Sequence, residues 1–294
     1  MINKIICTFR ERGIKGLVSA LFWRMCNLLP KRAKSFRKHE NLFFGKNGIE
    51  IGGSSQVFSY KGIFPVYPIV GNLDNCFFSN HTIWEGHINE GNSFQFDKNK
   101  PSGRQYIAEA TSMGYIPSGT YDFVLSSHML EHTANPILAL TEWIRILKDE
   151  GVVVLLLPHK EGTFDHRRPV TSLEHLISDF NAKITEEDLT HLPEILALHD
   201  LKRDPLAGDF ESFKSRSLKN YENRCLHHHV FDTRLAVRLI DHMNLQILAV
   251  EAIRPVHILI TARKLVNGKV VNNSDFRDEK VRYLITSPFL TDRL

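Results

Sequence analysis

Three stretches of this chain carry residue types and spacings that can do chemistry. The first is Gly48-Ile49-Glu50-Ile51-Gly52-Gly53-Ser54-Ser55, a short apolar strand with one acid that runs into residues with little or no side chain. Adjacent glycines let the backbone approach a bound molecule more closely than larger residues permit. No Lys follows, which excludes the phosphate-cradling Walker loop. Ser54 and Val57 occupy places where the dinucleotide fingerprint requires glycine. The turn suits an uncharged or cationic nucleoside. Asp74 lies past a second apolar stretch, residues 64–70, where an open α/β sheet places the acid that holds a ribose. Glu109-Ala110 follows a third such strand end, Tyr106-Ile107-Ala108.

The second stretch is Ser127-His128-Met129-Leu130-Glu131-His132, directly after the apolar run that begins at Tyr121. An imidazole at the carboxyl end of a strand has a pKa suited to taking a proton from a hydroxyl, so His128 is the candidate base. Glu131 is a candidate substrate contact, whereas a histidine at the position of His132 more often caps or hydrogen-bonds. The third stretch, residues 158–169, is a polar loop after the next strand, where open α/β sheets bind substrate. Its His159, Asp165, Arg167 and Arg168 suit a sugar, carboxylate or phosphate, and His166 is the reserve base. His227-His228-His229 invites a metal assignment, completed by Asp165 or His166. There is no second ligand pair at the usual spacing, so no metal is expected; His229 is placed with the substrate contacts instead.

The order Glu50-x-Gly52-Gly53, an acid, Glu109-Ala110, then Tyr121-Asp122-Phe123-Val124 with Leu130-Glu131-His132 just beyond resembles class I S-adenosylmethionine (SAM) methyltransferases. It is closest to the branch that carries Leu-Glu-His after its fourth strand, and the similarity spans residues 48–264. The resemblance implies an α/β, Rossmann-like sheet, mostly parallel with an antiparallel C-terminal strand, and SAM as cofactor. Glu50, Gly52, Gly53 and Ser54 would face the amino-acid and sulfonium end of SAM. Asp74 would hold the ribose, Glu109 and Ala110 the adenine edge, and Ser127 would be a further cofactor contact. Ser54 replaces the middle glycine of the family loop. The Asn-Pro-Pro-Tyr tetrad of nucleobase and glutamine N-methyltransferases is absent. Likeness to methyltransferase-like proteins of surface-polysaccharide pathways implies O-methylation of a sugar or glycan acceptor. A non-catalytic methyltransferase-like partner and an RNA methyltransferase are the alternatives.

At 294 residues, 43% hydrophobic and 24% charged, the chain has the make-up of a soluble α/β domain with appendages. A formal charge of +4 argues for no general nucleic-acid affinity, and four scattered cysteines without a Cys-x-x-Cys pair fit a reducing cytoplasm. Residues 1–45 read as a basic helical extension broken at Pro30. Its apolar part, 14–29, carries Lys15 and Arg24 and is too short to span a bilayer. It is expected to pack on the flank of the domain, with a peripheral membrane contact through the basic run as the alternative. Residues 46–264 form the methyltransferase-like domain, with a lid over 181–225 that includes a helix at 186–198, and 265–294 form a loosely structured tail. Asn135 and Pro136 open a helix between two buried strands, Thr171 to Glu174 is a capping box, and Asp232 caps a further helix.

Overall fold

The computed structural model describes residues 32–266, 268–278 and 281–293. The helix expected over 14–29, and Lys31 of the basic run, lie outside the described residues. The chain opens with α1 (Lys34–His39), then β1 (Asn47–Ile51) and β2 (Asn72–Phe77). A small hairpin, β3 (His81–Thr82) and β4 (Gly86–His87), precedes β5 (Gly91–Phe94), β6 (Gly103–Ile107) and β7 (Tyr121–Ser127). Then come α2 (Pro136–Ile146), β8 (Leu147–Pro158), α3 (Leu173–Ala182), α4 (Leu192–Leu198), α5 (Phe210–Leu218) and α6 (Asn220–Asn223). The chain finishes with α7 (Thr233–His242), β9 (Gln246–Ile253), β10 (His257–Arg263), α8 (Ser274–Arg277) and α9 (Arg282–Ile285).

Eight strands form one sheet in the order β5-β6-β2-β1-β7-β8-β10-β9. The strands from β6 to β8 are parallel, while β10 runs antiparallel to both β8 and β9. The central strands are continuous apolar runs because both faces of the sheet are covered. Val153, Leu155 and Leu157 of β8 pack on one face with Trp143 of α2, Leu176 of α3 and Leu239 of α7. Val152, Val154 and Leu156 point the other way. Among the described residues, no long helix covers that second face. Aromatics from the irregular segment between α1 and β2 do so, with Phe43 edge-on to Phe64 and Phe123 at ring separations of 5.5 and 5.4 Å. The backbone amides of Lys34 and Ser35 donate to Glu251 of β9 at 2.9 and 2.8 Å, so α1 is fastened to the sheet edge.

Two of the three expected caps are present: Asn135 accepts from Leu138 N at 3.0 Å and Asp232 from Leu235 N at 2.7 Å. The third helix is capped one residue later than the Thr171 to Glu174 box, by Ser172, which accepts from His175 N at 3.1 Å. Three further expectations differ. Residues 64–70 are a turn-rich core segment and β2 starts only at Asn72, because Phe64, Val66 and Val70 pack beneath the sheet. The lid helix is shorter than expected, Leu192–Leu198, and the lid has its own small core of Leu192, Ile195, Phe213 and Leu226. The tail is docked: Asp292 is fully buried and Phe289 stacks on His159 at 3.9 Å. Among the described residues, no helix is long and apolar enough to cross a membrane.

Candidate functional site

The carboxyl ends of β1, β2, β6, β7 and β8 open on one cavity of about 540 Å³, roofed by the lid and the β3–β4 hairpin. Gly52 enters it from β1, Cys76 and Phe77 from β2, Ala108 from β6, Ser127 from β7 and Pro158 from β8. Gly52 adopts φ +79°, and a Cβ there would meet Met129 Cγ at 3.0 Å, so the site needs glycine for conformation and for space. Opposite stand Phe78, Trp84 and Glu85, with Glu109 and Ala110 at the end of β6. Arg224 of the lid reaches Glu109 at 2.7 Å and Glu186 at 3.1 Å, and lies 5.0 Å above the Phe78 ring.

The far wall is ionisable. Glu131 is buried, and neither of its carboxylate oxygens finds a hydrogen-bond partner among the described residues. Its Oε1 lies 3.9 Å from His128 Nδ1, 3.9 Å from His132 Nε2 and 4.0 Å from His227 Nε2. Burial, against the pull of His227, pushes its pKa up to about 7. His132 Nδ1 must donate to the Leu226 carbonyl at 3.0 Å, which leaves Nε2 to face the cavity. Burial holds that imidazole well below its ordinary value and neutral. His227 Nδ1 pairs with Asp165 at 2.5 Å; burial opposes protonation, but the carboxylate prevails and raises the imidazole. His128, in a left-handed conformation with φ 51°, places Nε2 2.9 Å from His257 Nδ1. Burial, with His257 and His227 nearby, pushes His128 down to about 3.

The structure brings Gly52, Glu109, Ala110, Ser127, His128 and Glu131 together around this cavity. It does not bring Asp74 there. That carboxylate accepts from Tyr121 Oη at 2.7 Å and Arg104 N at 2.9 Å, because β2 runs three residues past it. Glu50 is turned inward, accepting from Tyr67 Oη at 2.5 Å and Ser55 N at 3.1 Å. It orders the glycine turn from behind, and a Cβ on Gly53 would sit 2.1 Å from its Cδ. Gly53 and Ser54 face a separate hollow of about 220 Å³.

In the third stretch, His166 is held by Asp200 at 3.0 Å and does not line the cavity. Arg167 is half exposed and points to the same aspartate at 3.5 Å. Arg168 is buried, binding Asp165 at 3.0 Å, Glu194 at 2.7 Å and the carbonyls of His227 and His228. Asp165 therefore serves His227 and Arg168, and His159 is buried against Asp292 at 3.1 Å. His229 is buried with Nε2 3.1 Å from the Ala134 carbonyl, away from the cavity. His159, Asp165, Arg167 and Arg168 are expected from the sequence as loop contacts to substrate, His166 as the reserve base of the same loop and His229 as a substrate contact from elsewhere in the chain. The loop instead folds under the lid, which consumes its charges in internal pairs. The cavity residues that the sequence did not reveal include Phe78, Trp84, Glu85, Glu186, Arg224 and the inward-facing His132 and His227.

Residues 85–155 match the family described as a methyltransferase domain. The strand order, with its reversed β10 between β8 and β9, fits the same fold. The sheet is that of a class I methyltransferase. S-adenosylmethionine is the cofactor that the family match supports, and the cavity fits it in size. Apolar and aromatic walls at Ile51, Phe77, Phe78 and Trp84 suit a purine, and Glu85 and Glu109 suit hydroxyl and amino groups. Among solved structures, a SAM-dependent methyltransferase from Aquifex aeolicus is similar with TM-score 0.42 and 11% identity over 79% of this chain and 89% of that one. A putative S-adenosylmethionine-dependent methyltransferase from Listeria monocytogenes gives TM-score 0.45 and 16% identity over 79% and 97%. No curated protein sequence matches the chain.

Proposed function

We propose that this protein transfers the methyl group of SAM to a hydroxyl of a sugar or glycan-type acceptor in the cytoplasm. The carrying observation is the buried Glu131 carboxylate, which faces a methyltransferase-fold cavity with no hydrogen-bond partner of its own among the described residues. An acceptor hydroxyl is the kind of donor such a carboxylate lacks, and proton removal is what methylation of a neutral hydroxyl needs. Bound in the cavity, SAM supplies an electrophilic methyl group. Gly52 and Met129 would border its amino-acid end, Glu85 its ribose, and Phe78, Trp84 and Ala110 its base. Glu131 then takes the hydroxyl proton. His128, neutral and engaged with His257, orients the hydroxyl and does not act as the base.

The rival is a methyltransferase-like protein that transfers nothing. Among the described residues, no α-helix follows β1, β2 or β6, and Ser54 lies outside the cavity; both favour it. Calorimetry with SAM and S-adenosylhomocysteine separates the two. Micromolar binding that is abolished in Gly52→Val supports the proposal, and no heat at millimolar ligand removes it.

A further inference from the structure

Outside the cavity, four side chains from three parts of the chain converge. His175 and Asp179 stand one turn apart on α3, His191 lies just before α4 in the lid, and His229 lies in the segment that leads into α7. One ligand atom from each falls within 4.8 Å of all the others. His175 Nε2 is 3.1 Å from His191 Nε2 and 3.2 Å from Asp179 Oδ2; His229 Nε2, 3.8 Å from that same oxygen, donates to the Ala134 carbonyl and must give up that hydrogen bond to ligate. The three rings are steeply inclined to one another, at 75°, 76° and 63°, as rings around a common point are. Four nitrogen or oxygen ligands about 2.0–2.1 Å from a tetrahedral zinc are spaced by about 3.4 Å.

These four groups satisfy one another poorly. Asp179 Oδ2 and His229 Nδ1 are buried and have no hydrogen-bond partner among the described residues. Two imidazole nitrogens 3.1 Å apart repel unless one proton or one cation lies between them. We propose that His175, Asp179, His191 and His229 bind a divalent transition metal, with zinc the best match, in a tetrahedral site that ties the lid to the domain. Three imidazoles and one carboxylate suit zinc, whereas calcium and magnesium favour sites built from oxygen. Helical spacing of four residues presents two ligands on one face, which α3 does with His175 and Asp179. His229 is two residues from His227, so the metal also fixes the segment that carries His227 into the cavity. The site needs no methyl transfer, and it goes beyond the proposed reaction.

The test is metal retention. Purified full-length protein is dialysed with zinc, freed of excess metal and assayed for bound zinc, with thermal unfolding followed before and after chelation. The wild type is expected to keep about one zinc per chain and to melt lower after chelation. Asp179→Asn and His191→Ala should each weaken retention by roughly tenfold or more. His191→Cys keeps a ligand and should keep the metal, which separates ligand loss from misfolding. Cobalt in place of zinc should give the intense visible bands of tetrahedral coordination. No zinc in the wild type, or undiminished zinc in both Asp179→Asn and His191→Ala, overturns the assignment. Zinc lost instead in Glu131→Gln would move the metal to Glu131, His132 and His227 in the cavity, and overturns it as well. SAM calorimetry on the same samples reads the methyltransferase proposal independently, since either ligand can bind without the other.

Discussion

The Arg224 guanidinium lies 2.7 Å from Glu109 and 3.1 Å from Glu186, joining the end of β6 to the lid across the mouth of the cavity. Arg224 and Glu186 are both buried, so the pair is little screened by water. Glu186 also accepts from Ala134 N at 3.0 Å, which carries the clamp back to the start of α2. Closure of the lid is thus written into three charges and not into the lid core alone.

Removing Arg224 leaves Glu186 as an unpaired buried carboxylate. Arg224→Ala is expected to cost about 1–3 kcal/mol of stability, the penalty of an orphaned charged hydrogen-bonding group. Hydrogen exchange should rise across residues 183–224, and SAM affinity should fall. Chemical unfolding with exchange mass spectrometry checks both; exchange in the lid equal to that of the wild type would show that the clamp does not hold it.

Glu131→Gln keeps the shape of the cavity wall and removes the proton acceptor. Turnover on a hydroxyl acceptor should drop by about 10²–10⁴, the usual worth of a general base. SAM affinity should stay within a few-fold, because the change is on the wall opposite Phe78 and Trp84. His128→Asn should reduce turnover less, since it orients and does not take the proton. If His128→Asn is the more damaging of the two, the roles are exchanged.

Asp74→Ala tests a residue whose sequence position misleads. Its carboxylate accepts from Tyr121 Oη and Arg104 N and lies outside the cavity. The substitution should therefore cost about 1–3 kcal/mol of stability through lost hydrogen bonds. SAM affinity should be unchanged by calorimetry. A weakened affinity with stability intact would restore the ribose role expected from the sequence.

The β7–α2–β8 unit was legible because each signal is local. Asn135 and Pro136 open the helix, and runs such as Val152 to Leu157 allow no other placement than a strand buried on both faces. Residues 52–120 were less legible, since the connections between β1, β2 and β6 hold turns and short hairpins where a helical period would have been readable. Asp74 was misplaced for that reason: the apolar run at 64–70 looks like a strand but is core-packed turn, shifting β2 downstream. Trp84 and Glu85 had no signal at all, because only the fold of a two-stranded hairpin brings them over the cavity. The histidine triplet was visible as a triplet only. Its members separate, His227 to the cavity, His228 to Asn220 and His229 to α3, and no spacing in sequence announces that.

The docked tail gives a prediction about acid. Asp292 is fully buried, accepting from Thr233 Oγ1 at 2.7 Å and Ser287 Oγ at 2.5 Å, with His159 Nε2 3.1 Å away. Asp232 also faces it, and Arg234 reaches its backbone carbonyl at 3.4 Å. Burial would raise its pKa, but the hydrogen bonds from His159, Ser287 and Thr233 outweigh that and hold the carboxyl below its ordinary value. A carboxyl depressed on folding stabilises the native state fully above its unfolded pKa of about 3.9, and that contribution is lost as pH falls through the folded value. The wild type should therefore exceed Asp292→Asn in stability at neutral pH, and the gap should narrow only once pH drops below about 4. Thermal melts of both proteins across that range measure it. Residues 287–293 should lose protection first in acid, since they are anchored by two carboxylates, Asp292 and the Glu161 that accepts from Leu290 N and Thr291 N. A gap that closes already near neutral pH would show that the Asp292 carboxylate is not what stabilises the docked tail.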